Sequence, residues 1–266
     1  MGQGHLREAE PLFREALERR QRVYGREHRN TLVALSNLGL LLRQQGRLAE
    51  AAPLLRESLD GLRRTLGPAH EEALISCLSY GQLLLDQGQH RDAERVLREA
   101  VAIARGALAG DHRTKLLLIG ALARSLHDQG RLADVQPLLL EALEGSRRSL
   151  GSDHPDTLAA IGNYATLLAE RGRLDEAEVL MREAVATFRR VRMGAHPDTM
   201  AAIANLGALL EQQGRLGDAE ALYREALAGF TTALGAGHAR TQRTAASLER
   251  VLRAKAAQGG ARDRRA

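Results

Sequence analysis

Residues 28–69 read HRNTLVALSNLGLLLRQQGRLAEAAPLLRESLDGLRRTLGPA, and this stretch decides the fold. Its first half places leucines at steps of three and four, the spacing of one helix face: Leu32, Leu35, Leu38 and Leu42. That pattern ends at Gly46, which is typical of a helix C-terminus. It resumes with Leu48, Ala51, Leu55, Leu59 and Leu62 and stops near Gly67. The stretch therefore predicts two amphipathic helices, here named helix A and helix B.

The same pattern returns every 42 residues along the 266-residue chain. A histidine marks the start of each copy: His28, His70, His112, His154, His196 and His238. A fixed period of this length indicates one supersecondary unit copied along an array, in which each unit buries its apolar face against its neighbours. The sequence thus predicts an all-α, right-handed helix-hairpin solenoid with five full repeats and a half repeat at each end.

The predicted boundaries follow from this register. One solenoid covers residues 1–255: an orphan helix B over 6–24, repeats over 28–69, 70–111, 112–153, 154–195 and 196–237, and a capping helix over 238–255. Residues 256–266 are predicted to form a flexible basic tail. Because Leu6–Tyr24 has no helix A before it, either translation starts upstream of Met1 or this N-terminal edge pairs with another chain.

Small residues recur at one point of each helix. In helix A they are Gly39, Gly81, Ala123, Ala165 and Gly207; in helix B they are Ala51, Ala93, Ala177 and Ala219, with Val135 as the exception. Removing side-chain bulk at both points allows the two helices of a hairpin to approach closely.

Composition restricts the function classes. Aromatic residues make up only 3% of the chain and Trp is absent, so the core is expected to consist of Leu, Ala, Val and Ile, a mixture that favours helices. The net charge of +5 comes mainly from arginines that alternate with glutamates along each repeat, which predicts a solvated face. An uncompensated basic cluster occurs only at the C-terminal end: Arg240, Arg243, Arg250, Arg253, Lys255, Arg262, Arg264 and Arg265.

The sequence does not indicate a catalytic site or a metal site. Cys77 occupies the register of Leu35 and Ile119, so a buried packing role is expected. The periodic histidines lie about one helix diameter apart, ~10 Å, too far for two to bind one ion, and are predicted to cap helices or turn the linkers. We therefore expect no enzyme activity, no metal and no cofactor. The absence of a signal peptide and of a membrane-length apolar run predicts a cytoplasmic protein without membrane contact.

The motifs themselves resemble a known family. The pattern Asn37-Leu38-Gly39, Gly46-Arg47-Leu48, Glu50-Ala51 and Pro53-Leu54-Leu55 is similar to a tetratricopeptide repeat. The 42-residue spacing and the linker His154-Pro155-Asp156-Thr157 resemble the longer variant of kinesin light chains and their bacterial relatives. The resemblance covers about residues 5–255 and implies a scaffold for protein partners, of bacterial origin.

The resemblance also implies a binding groove along the A helices. The family commonly places an Asn there to hydrogen-bond a peptide backbone, and Asn37, Asn163 and Asn205 match that position. Facing small residues leave room for a peptide: Gly162, Ala201, Ala204 and Ala208. The further groove candidates are Arg43, Gln44, Gln82, Arg124, His127, Glu211 and Gln212.

The leading hypothesis is a protein or peptide partner held in this groove. Two alternatives stay open. The basic C-terminal helix and tail could contact nucleic acid, which would bind with a steep salt dependence. The chain could instead serve as an oligomerisation or sensor arm of a larger signalling protein, self-associating through its N-terminal edge.

Overall fold

The computed structural model describes residues 3–191 and 196–263, with side chains over 8–191 and 196–258. These residues form twelve α-helices and no strand. The helices are α1 Gln3–Tyr24, α2 Arg29–Gln44, α3 Leu48–Leu66, α4 Glu71–Asp86, α5 His90–Ala107, α6 Arg113–His127, α7 Leu132–Leu150, α8 Pro155–Glu170, α9 Leu174–Val191, α10 Pro197–Gln212, α11 Leu216–Leu234 and α12 Ala239–Asp263. None of these described helices has the length and hydrophobicity needed to cross a bilayer.

The helices fall into two compact units, Met1–Ser149 and Leu150–Ala266. In the first unit, α2 packs on α3 and α4 on α5, and α1 packs against α2. In the second, α8 packs on α9 and α10 on α11, and α12 packs against α11. The predicted all-α helix-hairpin fold is confirmed, and α2, α4, α8 and α10 are each paired with the B helix that follows. A single continuous array over residues 1–255 stays a prediction.

The small residues allow the close approach that their register predicts. A Cβ atom at Gly81 would lie 2.6 Å from Cδ2 of Leu97, and one at Gly39 would lie 2.7 Å from Cγ of Leu55. The facing alanines Ala51 and Ala93 are fully buried. In these two hairpins the absence of a side chain in helix A leaves the space that a leucine of helix B fills.

A second close contact was missed in the sequence. The side chains of Leu32, Leu116 and Met200 pack directly on the backbone of three glycines of the B helices. These glycines are Gly61 of α3, Gly145 of α7 and Gly229 of α11, respectively. These glycines recur every 84 residues, twice the repeat length, while Ile103 and Thr187 stand at the intervening positions. A comparison of residues 42 positions apart does not detect such a position, because glycine occurs there only in every second repeat.

The periodic histidines are N-caps. In each case Nδ1 accepts a hydrogen bond from the backbone N–H two residues later, as in His154 with Asp156 at 3.1 Å. The same contact begins α2, α4, α6, α10 and α12, from His28, His70, His112, His196 and His238. One of the free N–H groups at each helix start is satisfied in this way. The prediction that these residues cap or turn the linkers is confirmed, and the imidazole provides the cap.

Ion pairs connect neighbouring repeats. Glu94 on α5 accepts hydrogen bonds from Arg98 at 2.6 Å, Gln129 at 2.9 Å and Arg131 at 2.7 Å. Equivalent glutamates at 84-residue spacing are Glu10, with Arg14 and Arg47, and Glu178, with Arg182 and Arg215. Pairs between successive B helices are Arg63–Glu99, Arg105–Glu141 and Arg189–Glu225. Much of the arginine charge is therefore neutralised between repeats.

The terminal helices differ from the inner ones. Leu12, Phe13 and Val23 of α1 are exposed, although Leu17 is buried against α2. At the other end, α12 extends to Asp263, so the first eight residues of the segment predicted as a flexible tail are helical. Ala256 and Ala257 are strong helix formers and favour continuation of the helix beyond Lys255. Arg264 and Arg265 of the predicted tail lie outside the described residues.

Candidate functional site

The second unit contains an open groove with a volume of about 380 Å³. Its floor consists of Met181, Ala184 and Phe188 on α9, which are nine-tenths or more buried. The walls come from α8 and α10, and the first turn of α12 adds Arg240. The lining residues of the walls are Pro155, Leu158, Ala159, Gly162, Asn163, Thr166, Asp198, Ala201, Ala202 and Asn205. The groove thus combines an apolar floor with polar groups on both sides.

Two of the three predicted asparagines line this groove together. Asn163 on α8 and Asn205 on α10 occupy the same register of neighbouring A helices, and both side chains are exposed. A primary amide can donate and accept hydrogen bonds at once, which suits the backbone of an extended peptide. Asn37 is likewise exposed, on α2 of the first unit.

Small residues give the groove its width. Gly162 and Ala201 line it as expected, whereas Ala204 and Ala208 lie outside its lining. An added Cβ atom at Gly162 would meet nothing within 4 Å, so the space above this residue is open.

The charged groups of the groove have different surroundings. Asp198 lies in the first turn of α10, where the helix dipole favours a negative charge, and its Oδ2 lies 3.7 Å from Nδ1 of His196. Arg240 is exposed, and its side chain makes no ion pair with any described residue.

The first unit gathers three other candidates around one carboxylate. Asp86 on α4 accepts from Nε of Arg43 at 2.7 Å and from Nη2 of Arg124 at 3.3 Å, and Gln82 accepts from Arg43 at 3.0 Å. His127 is partly buried on α6, with its Nδ1 3.7 Å from Asp128. Because these side chains satisfy one another, a ligand would have to displace an existing contact to use them.

Glu211 is also engaged internally. It accepts two hydrogen bonds from Arg250 on α12, at 2.7 and 2.9 Å, and one from the hydroxyl of Tyr223 at 3.1 Å. The Arg250 guanidinium holds the pKa of Glu211 below its usual range. Burial, together with the Glu211 carboxylate, raises the pKa of Tyr223 to about 12. This cluster fastens α12 to α10 and α11, while Gln44 and Gln212 are exposed at the ends of α2 and α10.

The comparisons with known proteins agree with this architecture. The model of the tetratricopeptide repeat matches residues 1–64, 41–106, 114–190 and 158–232, which is more than half of the chain. The chain belongs to the tetratricopeptide repeat family. Proteins with this repeat generally serve as scaffolds for protein–protein interaction. A search of curated proteins gives no match.

Solved structures with similar repeats include relatives of kinesin light chain. The Podosopora anserina putative kinesin light chain TPR-like repeats are 25% identical, with a TM-score of 0.65 over 77% of this chain and 97% of theirs. BtubC from P. vanneervenii is 19% identical, with a TM-score of 0.69 over 88% of this chain and 91% of its own. A Rap protein is 15% identical, with a TM-score of 0.63 over 93% of this chain and 75% of its own. The resemblance to the kinesin-light-chain type of repeat is confirmed, and the last two structures show the fold alone.

Sequence reasoning about the tetratricopeptide register missed the floor of the groove. The position of Met181 holds a leucine in the three preceding full repeats, and the position of Phe188 varies from Ala104 to Phe230. A signal was the change from Ala104 and Ser146 in the two preceding repeats to Phe188 at the same position.

The basic end of this tetratricopeptide chain is less positive than its sequence suggests. Arg250 pairs with Glu211, Arg253 with Glu249, and Lys255 with Glu220. Three of the cations expected to attract nucleic acid are therefore already neutralised.

Cys77 has the buried environment expected from its register. It is 1% exposed, and burial raises the pKa of its thiol, which disfavours the reactive thiolate. Nη2 of Arg63 lies 3.3 Å from Sγ.

Proposed function

We propose that the second unit binds an extended peptide segment of a partner protein in the groove between α8 and α10. Asn163 and Asn205 act as clamps for the peptide backbone, and one apolar side chain of the peptide packs on Met181, Ala184 and Phe188. The observation that carries the proposal is the convergence of two amides of equivalent register on one apolar cavity. Asn37 is proposed as the corresponding contact on the first unit.

The chemistry of the groove supports a peptide over a small polar ligand. Binding sites for peptides combine main-chain hydrogen bonds, which provide affinity, with pockets for side chains, which provide specificity. The apolar floor supplies such a pocket, and the exposed asparagines lie beside it. The Rap protein of similar fold was solved in complex with the competence and sporulation factor, which is consistent with ligand binding by this architecture.

The test begins with selection of ligands from a library of random, unstructured peptides displayed on phage. Affinities of the selected peptides are then measured for the wild-type chain and for the Asn163→Ala and Asn205→Ala variants. Each substitution should weaken binding by about five- to ten-fold, because each removes hydrogen bonds worth about 1 kcal/mol. Unchanged affinity for both variants would contradict the clamp.

A second pair of variants separates this groove from the rest of the surface. Gly162→Leu should abolish binding, since the new side chain enters the open groove without a clash in the fold. Gly120→Leu is the matched control, because Gly120 has the same register on α6 and equally open space at its Cβ. Equal binding by both leucine variants would place the peptide elsewhere.

The two alternative functions give different outcomes in the same experiment. Nucleic-acid contact through α12 would leave peptide binding absent and would produce a complex that dissociates steeply with salt. Self-association through α1 would appear as a concentration-dependent mass that the Gly162→Leu substitution does not change.

A further inference from the structure

The six histidine caps share one chemical requirement. Each accepts a backbone N–H at Nδ1, over distances between 3.1 and 3.3 Å. A protonated imidazole carries a hydrogen on both ring nitrogens and cannot accept at either. Protonation would also place a positive charge at the positive end of the helix dipole. The cap contact therefore exists only while the ring is neutral.

Four of the six histidine rings lie near a carboxylate, which can hold the ring at the helix start by an ion pair once the ring is protonated. Nδ1 of His154 and of His196 lies 3.7 Å from the aspartate two residues later. Nε2 of His112 lies 3.8 Å from Glu71. The pKa of Glu72, close to His70, is lowered mainly by Arg29 and to a smaller extent by His70. At these positions an ion pair can replace the lost hydrogen bond.

The remaining two rings lack such a partner among the described residues. The His28 ring stacks on Tyr24 of α1, with 4.7 Å between ring centroids, which holds it in place independently of charge. His238 has neither a stacking partner nor a paired carboxylate within the part of the chain that the structure describes.

The charged groups around His238 favour release of the cap on protonation. Its own helix, α12, carries Arg240 and Arg243 in the first two turns. The last turn of α11, against which α12 packs, contains no charged residue. On α10, Asp198 lines the same groove as Arg240 but lies beside His196. The first two turns of the helix that His238 caps therefore contain two arginines and no carboxylate that could pair with a protonated ring.

The amide that His238 caps belongs to the groove. The backbone N–H of Arg240 donates to Nδ1 of His238 at 3.1 Å, and Arg240 forms part of the groove lining. We propose that His238 is a proton-sensitive positioning residue that holds Arg240 in the groove wall while the imidazole is neutral. Protonation releases the first turn of α12. The wall is therefore ordered while the imidazole is neutral, and its ordering is lost when the ring takes up a proton.

The proposal is tested by amide hydrogen exchange of the unliganded chain at pH 7.5 and pH 5.5, corrected for the intrinsic exchange rate at each pH. We expect protection of the first turn of α12 to fall by about five-fold at the lower pH, the loss that corresponds to one helix cap. Protection of the first turn of α10, where His196 lies beside Asp198, should fall less. Because no peptide is present, this result is independent of the proposed peptide binding.

His238→Asn and His238→Asp are the control variants, since both side chains are strong N-caps that do not titrate between these pH values. Protection of the first turn of α12 should then be the same at both pH values. Equal protection at both pH values in the wild-type chain would overturn the proposal. A pH-dependent loss that persists in both variants would also overturn it.

Discussion

Gly81→Ala is expected to destabilise the protein, whereas Gly120→Ala is expected to stabilise it. Both glycines lie in the interior of an A helix, where alanine gains about 0.5–1 kcal/mol over glycine. At Gly81 the new methyl group would lie 2.6 Å from Cδ2 and 2.7 Å from Cγ of Leu97, which is completely buried. Overpacking of this kind costs about 1–3 kcal/mol, so the clash outweighs the gain in helix propensity. At Gly120 nothing lies within 4 Å, so the gain is unopposed.

The cause can be isolated with Leu97→Ala. Alone, this substitution should cost about 2–5 kcal/mol, because it leaves a cavity between α4 and α5. In the Leu97→Ala background, Gly81→Ala should become stabilising, since the added methyl group then occupies vacated space. The free energy of unfolding of the four proteins in guanidinium chloride gives the coupling energy directly. An additive cycle would show that Leu97 does not limit the space at Gly81.

Sequence periodicity predicts the features that every repeat shares. The A and B helices, the capping role of the histidines and the close approach of the two helices at Gly39 and Ala51 follow from a register that returns every 42 residues. The positions of Asn163 and Asn205 on neighbouring A helices follow from the same register and the family resemblance. These features depend on local spacing, and each further copy of the repeat gives independent support for the same prediction.

Features in which the copies differ could not be predicted in this way. Phe188 lines the groove although the same register holds Ala104 and Ser146 in the two preceding repeats, and Arg250 is neutralised by Glu211, a residue 39 positions earlier. Such contacts depend on the distance between side chains of different helices. A column comparison gives residue types but not these distances, so the apolar floor and the ion pairs appear only in the structure.

The second large effect is expected at Glu94, the carboxylate that connects α5 to the following hairpin. Arg98, with support from Gln129 and Arg131, holds the pKa of Glu94 at about 2, against an ordinary value of 4.5. Because the folded-state pKa is lowered, the ionised carboxylate stabilises the fold above pH 4.5, and this contribution is lost as the pH falls towards 2.

Glu94→Gln should therefore lower the free energy of unfolding at pH 7 by about 1–2 kcal/mol, less than the full 1.36 kcal/mol per pKa unit because the side chain stays partly solvated. The difference from the wild type should shrink as the pH is lowered from 5 to 3, because the Glu94 carboxylate of the unfolded chain, with its ordinary pKa, takes up a proton over this range while the folded one stays ionised. Glu141→Gln is the matched control, since its partner Arg105 is half exposed and the pair should contribute less than about 0.5 kcal/mol. Denaturant unfolding at pH 7, 5 and 3 measures all three proteins. A Glu94→Gln deficit that stays constant over this range would mean that the residue acts through packing, and the link between α5 and the next repeat would then not depend on charge.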